Sequence, residues 1–158
     1  MDAMEVLERC RAAEREVASL RGREERLQEV AYSPGGHGGD GTGSRSTQER
    51  DRMAAYVAAR DAIAREISAR QRDMVSEELI SAMLIDRGLC GRDQHAAVMH
   101  AYYIRRQTYR EISVSLHLSV SRVKNVRLEA TALLREIPEA DVIALLPPDY
   151  GRREEDSP

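Results

Sequence analysis

Two helix-start signals, at Thr108 and Ser119, constrain this chain more than any other feature. Thr108-Tyr109-Arg110-Glu111 has the capping-box layout. In that layout the threonine hydroxyl accepts from the Glu111 N–H and the glutamate reaches back to the Thr108 N–H. A short helix follows, with Ile112 and Leu116 as an i, i+4 apolar pair. It must stop near His117, because Ser119 is placed to cap a second helix. Val123, Val126, Ala130 and Leu133 then fall on one side of that longer helix. Helices joined by so short a turn cannot lie antiparallel, so they cross steeply and present the second one outward, as a helix-turn-helix does.

The outward side of the second helix carries a single sign of charge. Ser121, Arg122, Lys124, Asn125 and Arg127 crowd its first two turns, and no acid occurs between Ser113 and Leu128. Residues 92–137 hold eight bases and four acids, although the whole chain is acidic, with a net charge of −3. Residues 1–91 net −3 and residues 138–158 net −4, so the basic character is confined to the helix-turn-helix. Such segregation predicts a local phosphate-binding surface. A merely solvated helical hairpin is the bland alternative, against which the tight turn, the cap and the sign segregation weigh together.

The stretch VMHAYYIRRQTYREISVSLHLSVSRVKNVRLEA resembles region four of bacterial sigma factors and related regulators. The family pattern is an apolar helix ending in tyrosine (Val98 to Tyr103), a Tyr-x-Glu-Ile helix (Tyr109 to Ile112), then a turn and a recognition helix with Val-Lys (Val123-Lys124). With a long helical segment in front, the whole is similar to small phage regulators of the ArpU/RinA kind. The region-four likeness covers about a third of the chain. It implies a phage or prophage transcription regulator acting on double-stranded DNA, with RNA polymerase as a second partner. Two departures stand out. His117 occupies a position where the family often has a left-handed glycine, and Arg106-Gln107 replaces a Gly-apolar pair, which predicts a more exposed loop.

The remainder of the chain reads as helix. There is no phenylalanine or tryptophan, so a thick aromatic core is not expected. Alanine, leucine, glutamate and arginine dominate, which predicts an all-α fold. In residues 3–31, Val6, Cys10, Ala13, Val17, Leu20 and Leu27 form a heptad-like seam, with Asp2 and Glu5 placed to cap the start. Residues 33–46, SPGGHGGDGTGSRS, break that pattern and predict a flexible loop. The loop contains a G-x-G-x-x-G match at Gly36 to Gly41, but a coiled-coil helix precedes it rather than a strand, so no nucleotide site is expected. Ser46 to Glu49 is a further capping box, opening a second long helix striped by Met53, Tyr56, Ile63, Ile67 and Met74 and widened by Val57 and Ala64.

Two arrangements of these helices stand open: an antiparallel hairpin, or self-association of two chains through the seams as a homodimer. Leu79, Ile80, Met83 and Leu84 are expected where the hairpin thickens and meets the helix-turn-helix. Residues 1–91, 92–137 and 138–158 are the expected domains, with Gly88 and Gly91 in the first junction and Asp93 capping the next helix. His95 and His100 are five apart and do not share a helix face as a metal pair would, so core-edge positions are expected. Pro138 stops the recognition helix, and Val142, Ile143, Leu145 and Leu146 form a short apolar segment that either folds back or docks a partner. The last eight residues are a polar tail.

The function expected is a sequence-specific DNA-binding regulator. Ser121, Arg122 and Asn125 are the candidates to read base edges. Arg105, Arg106, Arg110, Lys124 and Arg127 are the candidates to hold phosphates. Alternatives are a coiled-coil adaptor that binds RNA polymerase or another protein, and a DNA-binding phage packaging subunit. No enzyme, metal or cofactor is expected, since there are no clustered carboxylates, no nucleophile with a base and no metal-ligand spacing. No apolar stretch approaches membrane-spanning length, the start lacks a signal peptide's pattern, and Cys10 and Cys90 are far apart. A cytoplasmic location follows as the expectation.

Overall fold

The computed structural model describes residues 1–32 and 44–151. Among these the chain is all-helical: α1 (Ala3–Tyr32), α2 (Ser44–Gly88), α3 (Asp93–Met99), α4 (Tyr109–Leu116), α5 (Val120–Leu134) and α6 (Glu139–Leu145). The glycine-rich stretch lies outside the described residues up to position 43, as does the polar tail from 152. No helix among the described residues is long and apolar enough to cross a membrane.

Local signals set the helix starts at three places. Asp2 and Glu5 cap α1 reciprocally, the Asp2 N–H donating to Glu5 Oε2 and the Glu5 N–H to Asp2 Oδ1, both at 2.8 Å. Thr108 accepts from the Glu111 N–H at 3.2 Å and Ser119 from the Arg122 N–H at 3.1 Å. The Glu111 carboxylate, however, takes the Thr108 hydroxyl at 3.1 Å. Two other expected caps are displaced. α2 begins at Ser44, so Ser46 lies inside its first turn. Asp93 is the first residue of α3 rather than its cap, and Arg92 precedes it without a side-chain cap.

α3 continues into a π turn over His100–Ile104, closed by the Arg105 N–H donating to the His100 carbonyl at 3.0 Å. This wider turn lets near-consecutive residues bury in different directions. Met99 and Tyr103 join one apolar cluster, with Leu7, Leu84, Leu134 and Val142, while Val98 and Ala101 join another with Ile112, Val123 and Val126.

The chain forms two compact units. The first holds Met1–Glu14 and Arg72–Gly151, and the second holds Arg15–Gln71. In the first, both clusters are buried around α3 and the π turn. Expected boundaries at 91 and 137 cut across its core, because the start of α1 and the end of α2 bury Val6, Leu7, Ile80, Leu84 and Ile85 against Tyr103, Leu134 and Val142. The apolar segment after Pro138 folds back here. Val142 is fully buried and Leu145 and Leu146 pack against the same cluster, while Ile143 stays exposed. Tyr150 secures the end of the segment by donating to Glu77 Oε1 at 2.6 Å. Glu77 is itself fully buried and accepts from Arg9 Nε at 3.1 Å.

In the second unit, Val17 packs with Ile63 and Ile67, and Leu20 and Leu27 lie alongside. Arg70 pairs with Glu16, and Arg23 with Glu66 at 3.5 Å, so the pairing order is antiparallel. The expected stripe on α2 is only partly used. Ile63 and Ile67 are buried, but Met53 and Val57 are exposed.

Gly91 and Gly151 take positive φ, as expected of glycine, but Arg106 (φ 57°) and His117 (φ 55°) do so as well. His117 thus keeps the left-handed helix ending that its position calls for, despite its Cβ. Its side chain is exposed, so little packing is lost on removing it. His117→Gly is therefore expected to raise stability by up to about 1 kcal/mol, read as a higher denaturant midpoint at constant m-value.

Candidate nucleic-acid interface

α4 and α5 are separated by the three residues His117 to Ser119. The turn is fixed from three sides. His117 adopts the left-handed conformation, the Ser113 hydroxyl donates to the Leu118 carbonyl at 2.5 Å, and Ser119 caps α5. Beneath it, Ile112, Val123 and Val126 are fully buried, with Leu116, Leu118, Tyr102 and Tyr109 packed around them. These contacts orient α5. Because Val123, Val126 and Ala130 face the core, Ser121, Arg122, Lys124 and Asn125 are all exposed. Arg105 and Arg110 are exposed too.

Arg122 is anchored at its edge. Its Nη2 donates to Gln94 Oε1 at 3.0 Å, and its Nη1 lies 3.9 Å from Glu129. Glu129 in turn meets His95 at 2.7 Å. That hydrogen bond, aided by the positive charges of Arg122 and Arg92, holds the Glu129 carboxyl below its ordinary range. His95 and His100 occupy core-edge positions, His100 lying 3.3 Å from Asp86. Lys124 sits with its ammonium 5.5 Å from the Tyr109 ring centre.

Arg127 and Arg106 turn inward. Arg127 Nη1 donates to the Tyr103 hydroxyl at 2.8 Å, and its guanidinium lies 4.9 Å from the Tyr102 ring centre. Tyr102 and Tyr109 stack at 5.1 Å, and the Arg11 guanidinium covers Tyr102 at 3.7 Å. Arg11 also donates to the carbonyls of Tyr102 and Gln107, the latter at 3.0 Å. Burial pushes the Tyr103 hydroxyl up to about 12, so it stays a proton donor. This layer of two tyrosines between arginines escaped sequence reasoning, since Arg11 is far from Tyr102 in the chain and no spacing links them.

Arg106 sits in the loop expected to be exposed, yet only 12 % of its side chain is accessible. Its Nε donates to the Cys10 carbonyl at 3.0 Å, and Nη2 to Glu78 Oε1 at 3.0 Å. Nη1 reaches Glu14 Oε1 at 3.3 Å and the Ile104 carbonyl at 3.1 Å. The loop is therefore drawn against α1 and α2 by the residue that replaces glycine. Of the eight candidate site residues, six are exposed, while Arg106 and Arg127 are half-buried and turned toward interior partners.

Compared with known proteins, no family model, curated protein or solved structure matches the chain.

Arg106 carries two opposing effects, left-handed strain and a set of hydrogen bonds. Arg106→Ala loses the bonds and keeps the strain, whereas Arg106→Gly loses the bonds and relieves it. Both variants are expected to be less stable than wild type, with the glycine variant about 1 kcal/mol the more stable of the two by urea denaturation. Equal stability, or alanine above glycine, would mean that the left-handed backbone costs nothing here.

Proposed function

We propose that the protein is a sequence-specific DNA-binding transcription regulator, in which a long helical hairpin supports a sigma region four-like helix-turn-helix formed by α4 and α5. One observation carries the reading. The Ser119-capped start of α5 buries Val123 and Val126 and leaves Ser121, Arg122, Lys124 and Asn125 exposed together, with no acid before Glu129. Recognition helices present their first turns to base edges in the major groove, while the preceding helix crosses the backbone.

In this scheme Arg122 reads guanine, Asn125 reads adenine and Ser121 adds a donor or acceptor. Arg122 must leave Gln94 and Glu129 to do so. Both contacts are exposed, so the exchange costs little. Arg105, Arg110 and Lys124 hold phosphates. Arg106 and Arg127 act one step back, fixing the loop and the rear of α5 rather than touching DNA. The resemblance extends the proposal to a phage-encoded regulator acting beside RNA polymerase.

A second reading, a protein-binding adaptor, is favoured by the exposure of Val114 (76 %) on α4 and Leu128 (59 %) on α5, apolar groups that a phosphate surface does not need. A pair of variants separates the two. Arg122→Ala is expected to cost about 1–3 kcal/mol on the preferred duplex and to relax the preference at one base position. Arg110→Ala is expected to weaken all duplexes alike and lower the slope of log K against log salt by about one. Helicity must match wild type in both. If Arg122→Ala binds every duplex as wild type does, α5 is not the reader and the adaptor reading takes its place.

A further inference from the structure

Val75, Leu79 and Met83 stand four residues apart on α2 and are 64 %, 64 % and 45 % exposed. Ile80, Leu84, Ser81 and Glu77 on the same helix are buried, so the three form an apolar row turned away from their unit's core. Such a row left in water is a liability unless something covers it. Residues 33–43 and 152–158 contain no large apolar side chain.

The row is symmetric about Leu79. Val75 and Met83 flank it at four residues, the small Ser76 and Ala82 at three, and the oppositely charged Arg72 and Asp86 at seven. A second α2 laid antiparallel, with a two-fold axis at Leu79, would set Leu79 on its own copy and Val75 on Met83. It would also set Arg72 against Asp86 at both ends. A parallel pairing would bring Arg72 onto Arg72 and Asp86 onto Asp86 instead. Within one chain Arg72 lies 3.7 Å from Asp149 and Asp86 lies 3.3 Å from His100. The Arg72 and Asp86 side chains are 48 % and 74 % exposed, so both can re-pair.

We propose that the Val75–Leu79–Met83 row is the contact of a two-fold dimer of this chain. The interface is isologous, each copy offering the same patch. From Arg72 to Asp86 it runs roughly 21 Å along the helix. A single helix pair of that length buries less than the roughly 1,200–2,000 Å² of stable complexes, which makes the dimer concentration-dependent. The proposal is independent of DNA binding.

Sedimentation equilibrium of the full chain over a wide concentration range tests it. Wild type is expected to show a monomer–dimer equilibrium. Arg72→Asp alone and Asp86→Arg alone each place like charges together and are expected to raise the dissociation constant about tenfold, while the double swap restores it. Circular dichroism confirms that each variant is folded. Cysteine placement reports the geometry. In a Cys90→Ser background, with Cys10 buried, Leu79→Cys is expected to form a covalent dimer with oxidised glutathione and Val75→Cys is not. Val75→Cys combined with Met83→Cys is expected to form one again. A monomer at every concentration, an oligomer indifferent to the charge swaps, or self-cross-linking at Val75→Cys overturns the proposal.

Discussion

The buried ring of Tyr103 joins elements that lie far apart in the sequence. Its hydroxyl donates to Glu8 on α1 at 3.2 Å and accepts from Arg127 on α5 at 2.8 Å, while the ring packs in the cluster built from α1, α2, α5 and α6. Its neighbour Tyr102 packs against that cluster and against the one beneath α4 and α5. Both tyrosines lie in the π turn, where their rings meet edge-on at 4.8 Å. Removing the ring would leave the guanidinium of Arg127 half-buried without its hydroxyl partner, a costlier outcome than losing the contact alone.

From that junction outward, bases divide by environment. Arg11, Arg106 and Arg127 spend their donors on backbone carbonyls, carboxylates and tyrosines, and they hold the loop and α5 in place. Arg105, Arg110, Arg122 and Lys124 remain exposed. Arginine suits the first task because its planar fork can satisfy several acceptors at once, as Arg106 does with Cys10, Glu14, Glu78 and Ile104. A surface that keeps its exposed cations on α5 and its flanks, with the inward ones as supports, is suited to the proposed division between reading and holding.

What could be read from the sequence was local. The reciprocal Asp2–Glu5 cap, the Thr108 cap and the Ser119 cap depend on residues within one turn, so spacing alone reveals them, whereas the left-handed position of His117 is what the resemblance to sigma region four implies. Helical periodicity also placed Val123, Val126 and Ala130 inside. It misjudged Arg127, which adjoins the buried side of α5 and can swing onto the tyrosines, a choice set by Tyr102 and Tyr103. Arg106 was hidden for the same reason, since its partners on α1 and α2 come from distant positions. Along α2, apolar residues on two sides of the helix merged into one pattern, so the exposure of Leu79 and Met83 beside buried Ile80 and Leu84 could not be foreseen. The domain boundaries at 91 and 137 failed to anticipate a core that draws on both ends of the described chain.

Selection of bound duplexes from a random-sequence pool by the full chain bears most directly on the proposed reading of DNA by α5. Enrichment of one short motif, with guanine and adenine positions protected in the major groove and affinity falling steeply with salt, is the predicted result. A pool that stays random after repeated rounds, with retention insensitive to salt, would contradict it.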